Sequence, residues 1–252
     1  MSYVKVSYKG NSISQFSEGS KILETSGKYC EDNISVEMKQ SQNDILFHFD
    51  TNMVNSGKSP ALIAEDTGLE ISDTQHKFGT HSLKCGTTQR INNLAIYNGL
   101  AFQSYDFTLD FWVYPLSLEA SAASGRASVP FSSTYRSLAV YMFSDSIKLC
   151  VTHTSISWDY EVAETISLST DTWYHIAVVR SGSKIYLFLD GVKKIEINYG
   201  VNEIAKAYPF TIASNTYSSG DRRFTGYIDE FRYIQGTAVW TADFTPPTEP
   251  YI

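Results

Sequence analysis

The feature that most constrains this chain is the alternation of apolar and polar residues in short runs rich in aromatic and β-branched side chains. Phe107, Leu109, Phe111 and Val113 alternate with Thr108, Asp110, Trp112 and Tyr114. Ile147, Leu149 and Val151 alternate with Lys148, Cys150 and Thr152, and Ile45, Phe47 and Phe49 with Leu46, His48 and Asp50. A period of two puts each set on its own face of a strand. The runs Tyr174–Arg180 and Ile185–Leu189 flank Ser181-Gly182-Ser183-Lys184, which reads as an antiparallel hairpin. Asp190-Gly191 supplies the next turn, and Val192–Ile197 the strand after it. Pro115 ends the 107–114 run. No segment sustains a 3.6-residue apolar period. The expected fold is all-β: an antiparallel two-sheet sandwich of the jelly-roll kind.

Residues 1–41 differ from the rest. Weak alternation at Val4, Val6 and Tyr8 turns at Lys9-Gly10-Asn11, resumes at Ile13 and ends near Ile34-Ser35-Val36, which suggests three or four short strands. That is too little chain to enclose a core. The segment is therefore expected to be a small β module for attachment or oligomerisation, joined by the polar Gln40–Asn43 to one domain over 44–252. Glu119–Pro130, small and polar, reads as an exposed loop.

Of the 252 residues 42% are hydrophobic, 14% aromatic and 19% charged, so a sizeable core is available. Twenty Lys and Arg against 27 Asp and Glu leave a net charge of −7, which argues against coating nucleic acid. No apolar run is long enough to insert into a membrane. The start, MSYVKVSYKG, lacks a basic stretch followed by an apolar one, so no secretory signal is expected. Cys30, Cys85 and Cys150 are an odd, widely spaced set, read as reduced thiols rather than a disulfide framework or zinc site.

Several blocks together resemble a known family. They are Gly79–Cys85, the strand FTLDFWVYP at 107–115, Asp171–Arg180 with Phe188-Leu189-Asp190-Gly191 downstream, Gly226–Tyr233 and Phe244–Thr248. Their order and spacing resemble the laminin-G-like, concanavalin A-like lectin/glucanase superfamily over about 44–252. The resemblance implies a jelly roll of two packed sheets that often binds carbohydrate or protein surfaces, in some members with calcium at one edge. TSGKYCEDNISV at 25–36 is similar to short modules on proteins of phages and prophages of gut Firmicutes. Fold alone does not grant function.

Catalysis by a glycosidase needs two carboxylates about 5 to 9.5 Å apart. Hydrolytic relatives place theirs as Glu-x-Asp-x-Glu on one strand face, and that triplet is missing here. Asp229 and Glu230 are adjacent, which on a regular strand sends them to opposite faces. The expectation is a protein without enzymatic activity. Asp50 opens the oxygen-rich stretch 51–57, and Asp229 is expected to share its strand face with Tyr227, Phe231 and Tyr233. The family resemblance implies that carboxylates at these two positions approach each other near a metal, so Asp50 and Asp229 are the candidate calcium ligands. The alternative is that Asp229 is satisfied by backbone N–H groups. Sugar rings stack on exposed aromatics beside polar side chains. Trp158, Asp159 and Tyr160 form one such candidate, and Tyr217 with Asn215 and Arg222 a second. Arg180, Arg223 and Arg232 read as surface ion-pair residues of small consequence.

The reading that combines these points is a phage virion protein (fibre, decoration or tail-associated) assembled in the host cytoplasm. Residues 1–41 would join other virion proteins or build a homo-oligomer, plausibly a trimer, and the jelly roll would bind bacterial surface glycan. The alternatives are a structural decoration protein without ligand, or a carbohydrate-binding module of a surface adhesin.

Overall fold

The computed structural model describes residues 44–58, 69–86, 102–120, 128–133, 136–205, 211–213 and 223–252, and as backbone only the strand residues 3–8, 11–16, 34–39, 62–65, 94–97 and 210. The strands in chain order are β1 (Tyr3–Tyr8), β2 (Asn11–Phe16), β3 (Ile34–Lys39), β4 (Ile45–Phe47), β5 (Leu62–Glu65) and β6 (Glu70–Ser72). Then follow β7 (Ser82–Cys85), β8 (Leu94–Tyr97), β9 (Phe107–Pro115), β10 (Ser128–Ser133), β11 (Leu138–Met142) and β12 (Ser146–Val151). The last are β13 (Tyr160–Thr165), β14 (Tyr174–Ser181), β15 (Lys184–Leu189), β16 (Val192–Asn198), β17 (Phe210–Ile212) and β18 (Gly226–Gln235). No helix occurs among the described residues, and none is long and apolar enough to cross a membrane.

Two antiparallel sheets form the sandwich. One runs β13-β12-β11-β10-β17-β8-β5, the other β16-β15-β14-β9-β18-β7-β6, with β4 also paired to β18. Strands β2-β1-β3 make a separate three-stranded sheet. In β9 the alternation works as the pattern requires. Phe107, Leu109, Phe111 and Val113 enter the main core with Phe47, Phe131, Phe231 and Tyr233. Phe111 and Phe131 lie 5.7 and 6.0 Å from Phe231, ring centre to ring centre.

The β14–β15 hairpin pairs Ser181 with Lys184 across Gly182-Ser183. Between β15 and β16, Asp190 and Gly191 both have positive φ, 50° and 77°. That is the backbone of the two-residue turn that Asp-Gly favours. A Cβ on Gly191 would also fall 1.9 Å from the carbonyl oxygen of Phe244, so the turn and the C-terminal segment both require glycine there. Residues 236–252 lie over the outer face of the larger sheet. Trp240 and Phe244 stack at 4.0 Å, and together with Ala238 they cover Ala177, Val179, Tyr186 and Phe188.

Three expectations need correction. Strand β10 begins at Ser128, inside the segment read as loop, because a register shift between Ser128 and Phe131 lets Val129 pack outward and Phe131 inward. Pro130 sits at this irregularity, where a strand tolerates proline. Arg180 and Arg232 are not surface groups: their exposures are 1% and 9%. Arg180 donates to the carbonyls of Gln103, Gly182, Gly200 and Asn202, joining three loops at one end of the sandwich. Finally, Asp229 does not share a face with Phe231 and Tyr233. One extra residue in β18 between Asp229 and Arg232 shifts the register against β9, and Glu230 takes φ 49°. Such a bulge breaks the period-two rule. Cys85 and Cys150 are buried thiols that form no disulfide among the described residues, and Cys30 lies outside the described residues.

Candidate functional site

Strand β18 changes neighbours along its length. Phe231–Tyr233 pair with β4, and Gly226–Ile228 pair with β7. Asp229 and Glu230 fall in the fork between the two partners, on the bulge. Both carboxylates therefore reach groups on the same outer side, against the opposite-face expectation. Asp229 Oδ2 accepts from the backbone N–H groups of Lys77 (2.7 Å) and Phe78 (3.1 Å). Glu230 Oε1 accepts from His48 Nδ1 at 2.7 Å, and Oε2 accepts from the Tyr251 N–H at 3.0 Å.

The chain leaving β4 enters the same fork. Phe49, only 1% exposed and stacked on Phe47 at 5.6 Å, has φ 59°. A positive φ is strained for a bulky residue, and such strain gathers at functional sites. The following loop folds back beside β4: the Ser56 N–H donates to the Leu46 carbonyl, and Asn55 Oδ1 accepts from Leu46 N and Gly57 N. Between this loop and the C-terminal segment lies a cavity of about 410 Å³, lined by His48, Phe49, Asp50, Asn52, Asn55 and Pro250 among others. That size suits a small ligand or one to two sugar units.

Asp50 and Asp229 both hold the loop 77–81. Asp50 Oδ1 accepts from Thr80 N at 2.6 Å and His81 N at 3.4 Å. Asp229 Oδ1 accepts from the Glu230 N–H. Three of the four carboxylate oxygens thus face N–H donors, which occupy the lone pairs a cation would need. Among the described residues no group of three or more His, Cys, Asp or Glu stands where it could hold a metal ion. The pair is built as a loop anchor and does not fit a calcium cage of six to eight oxygens. Burial pushes the Asp229 carboxyl up to about 7, with the Glu230 carboxylate acting in the same direction and the backbone donors opposing it.

Behind the fork is a second buried network, on the outer face under the C-terminal segment. Arg232 Nε donates to Asp110 Oδ1 at 2.8 Å, and His175 Nε2 lies 3.2 Å from Asp110 Oδ2. The Tyr251 hydroxyl donates to the same Oδ2, and the Arg232 guanidinium lies 3.6 Å from the centre of the Tyr251 ring. Burial raises the Asp110 pKa, but Arg232 and His175 outweigh it and hold the carboxyl below its ordinary range. Tyr251 thus ties Asp110 to Glu230, and the adjacent Pro250 forms a wall of the cavity.

The aromatic candidates behave differently. Trp158 is half-buried and packs outward against Val129, Ala139, Tyr141, Phe143 and Cys150 of the smaller sheet. Asp159 ties its own turn together: Oδ2 accepts from Thr152 Oγ1 and His153 N at 2.8 and 2.7 Å, and it also contacts His153 Nδ1. Tyr160 packs inward, 5.6 Å from Tyr199. Trp158 and Asp159 precede β13, which begins at Tyr160, and the three side chains pack against different groups. Tyr217, Asn215 and Arg222 lie outside the described residues. The sequence reading marked Asp50 and the 51–57 stretch, Asn52 included, but missed His48, Glu230 and Pro250; His48 and Glu230 meet only through a contact 182 residues apart. The one available signal was His48 at an outward position two residues before Asp50.

Residues 86–239, more than half of the chain, match the family model described as the concanavalin A-like lectin/glucanases superfamily, and the chain belongs to that superfamily. Among solved structures it is similar to the binding domain of botulinum neurotoxin serotype G, with 11% identity and a TM-score of 0.61 over 79% of this chain and 48% of that one. It is similar to domain 4 of an extracellular arabinanase from Geobacillus stearothermophilus, solved with arabinotriose, with 14% identity and a TM-score of 0.57 over 80% of this chain and 96% of that one. The serotype D ligand-binding domain in complex with N-acetylneuraminic acid matches at 11% identity and a TM-score of 0.61, over 79% and 48%. The chain spans about half the length of the toxin domains. At these identities the likeness is one of fold. No curated protein matches the chain.

Proposed function

We propose that the protein is a non-enzymatic glycan-binding module that works in a phage virion, where it engages bacterial surface carbohydrate without needing calcium. The fork cavity is the observation that carries this reading. Its size suits a saccharide end group, and imidazole, carboxylate and amide side chains line it. A structural neighbour crystallised with arabinotriose covers nearly its whole length with this fold. The carboxylates that catalysis would need are engaged: Asp229 and Glu230 use both oxygens each on protein groups.

The virion part of the proposal draws on residues 1–41. Their three strands of six residues pair with each other, and a sheet that small needs a further surface to be stable. Other virion proteins, or copies of the chain in a trimer, would supply it, and clustering would multiply a weak site through avidity. A structural decoration role without ligand is the competing reading. Binding of the labelled full chain to gut Firmicutes cells and their extracted surface polysaccharides, with calcium and with chelator, separates the two. Saturable binding in both conditions supports the proposal. No binding even when the protein is multimerised on beads favours decoration.

A further inference from the structure

Resting on the reading of the fork cavity as a glycan site, we infer that the cavity selects uncharged, hydroxyl-rich sugars over acidic ones, with His48 Nε2 and Asp50 Oδ2 accepting ligand hydroxyls and Glu230 as the positioning residue that sets the imidazole. The argument begins at Glu230. An ionised carboxylate only accepts hydrogen bonds, so the proton on His48 Nδ1 belongs to the 2.7 Å contact with Glu230 Oε1. In the neutral ring this leaves Nε2 with a lone pair. No described group bonds to Nε2, and 19% of the His48 side chain is exposed where it lines the cavity. Glu230 has no freedom to turn away. It is 1% exposed, its backbone is held in the bulge at φ 49°, and its second oxygen takes the Tyr251 N–H.

Asp50 is held in a similar way. Thr80 N and His81 N take Oδ1 and leave Oδ2 as an acceptor. Asn52 spends its carbonyl oxygen on Val54 N at 3.2 Å, which leaves its NH₂ as a donor. His48 and Asp50 thus turn acceptors and Asn52 a donor toward a cavity that the hydroxyl-bearing Thr51 and Ser56 also line. A sugar hydroxyl both donates and accepts, so neighbouring hydroxyls on one ring satisfy this set. A carboxylate or phosphate accepts only. It would meet the Asp50 charge at the wall, Glu230 behind His48, and a protein of net charge −7. The nearby cations point elsewhere: Lys58 pairs with Asp44 at 3.5 Å, and Lys77 lies over the Trp112 ring at 3.9 Å.

The test is calorimetric titration of the full chain with arabinotriose, an N-acetylglucosamine oligomer, galacturonic acid and N-acetylneuraminic acid. The neutral sugars should bind at least about tenfold more tightly than the acidic ones, and His48→Ala should weaken neutral binding about tenfold, the effect of one lost hydrogen bond. Asp50→Asn should reduce the discrimination against acidic sugars, a change that general loosening of the fold would not produce. Nitrogen NMR of His48 should show a protonated Nδ1 and a bare Nε2, with that preference lost in Glu230→Ala. Acidic sugars bound as tightly as neutral ones, the opposite tautomer, or neutral binding unaffected in His48→Ala overturn the inference. If sugar binding survives in His48→Ala but disappears in Trp158→Ala, this inference fails while the glycan-binding reading stands. If no sugar of the panel binds and cells are not bound either, both fail.

Discussion

Arg232 stands opposite Asp110 in the ladder between β18 and β9, and only the extra residue after Asp229 puts it there. Without the bulge Phe231 would face Asp110, and a core aromatic would lie on the outer face. The same irregularity exposes Glu230 to His48 and Tyr251. One inserted residue therefore builds both the buried network under the C-terminal segment and the fork that holds the cavity.

Removing Asp110 should be costly. Asp110→Ala leaves the Arg232 guanidinium buried without its carboxylate, and losing one partner of a buried pair costs about 3–5 kcal/mol. Urea denaturation should show a lower midpoint with an unchanged slope. A loss below about 1 kcal/mol would mean that water already screens the pair.

Tyr251→Phe tests the C-terminal fastening separately. It deletes one hydrogen bond to a charged acceptor while keeping the ring against Arg232, and should destabilise by about 1.5–3 kcal/mol. Hydrogen exchange should rise in residues 236–252 before it rises in β9 or β14.

Gly79→Ala should disturb the cavity from outside it. The residue has φ +59°, and an added Cβ would fall 1.9 Å from Asp50 Oδ1. The substitution should destabilise by more than about 1 kcal/mol, and should weaken sugar binding because Asp50 must move.

The pH dependence follows from Asp229. Its carboxyl is raised in the folded protein to about 7, against about 3.9 in an unfolded chain. A raised folded value means that the native state holds the proton more tightly. The resulting stability is fully present below about pH 4 and is lost as pH rises through 7. Asp110, held low, acts in the opposite sense, with its contribution lost on acidification. Asp229→Asn should therefore flatten the decline in stability between pH 5 and 8. An identical slope in both proteins would show that Asp229 is ionised throughout.

Much of the fold was legible in the sequence because it rests on local rules. The alternation in β9 and β12, the hairpin at 174–189 and the Asp190-Gly191 turn each follow from residues within a short window. The site was not legible, for a physical reason. A bulge formed by Asp229 and Glu230, without a glycine to mark it, reverses the face assignment of everything after it. Asp50 and Asp229 were read as ligands of one metal, and what the two carboxylates share is the backbone of 77–81. Trp158, Asp159 and Tyr160 look like one patch in sequence, but the first two precede β13 and the turn there sends Trp158 outward while Tyr160 packs inward.

The most direct test of the central claim is an amide and indole NMR titration of the full chain with the best-binding neutral oligosaccharide. Shifts concentrated at His48, Asp50, Asn52, Gly57 and Glu230, with the Trp158 indole unmoved, are the predicted result. Shifts centred on Trp158 with the fork residues silent would contradict it.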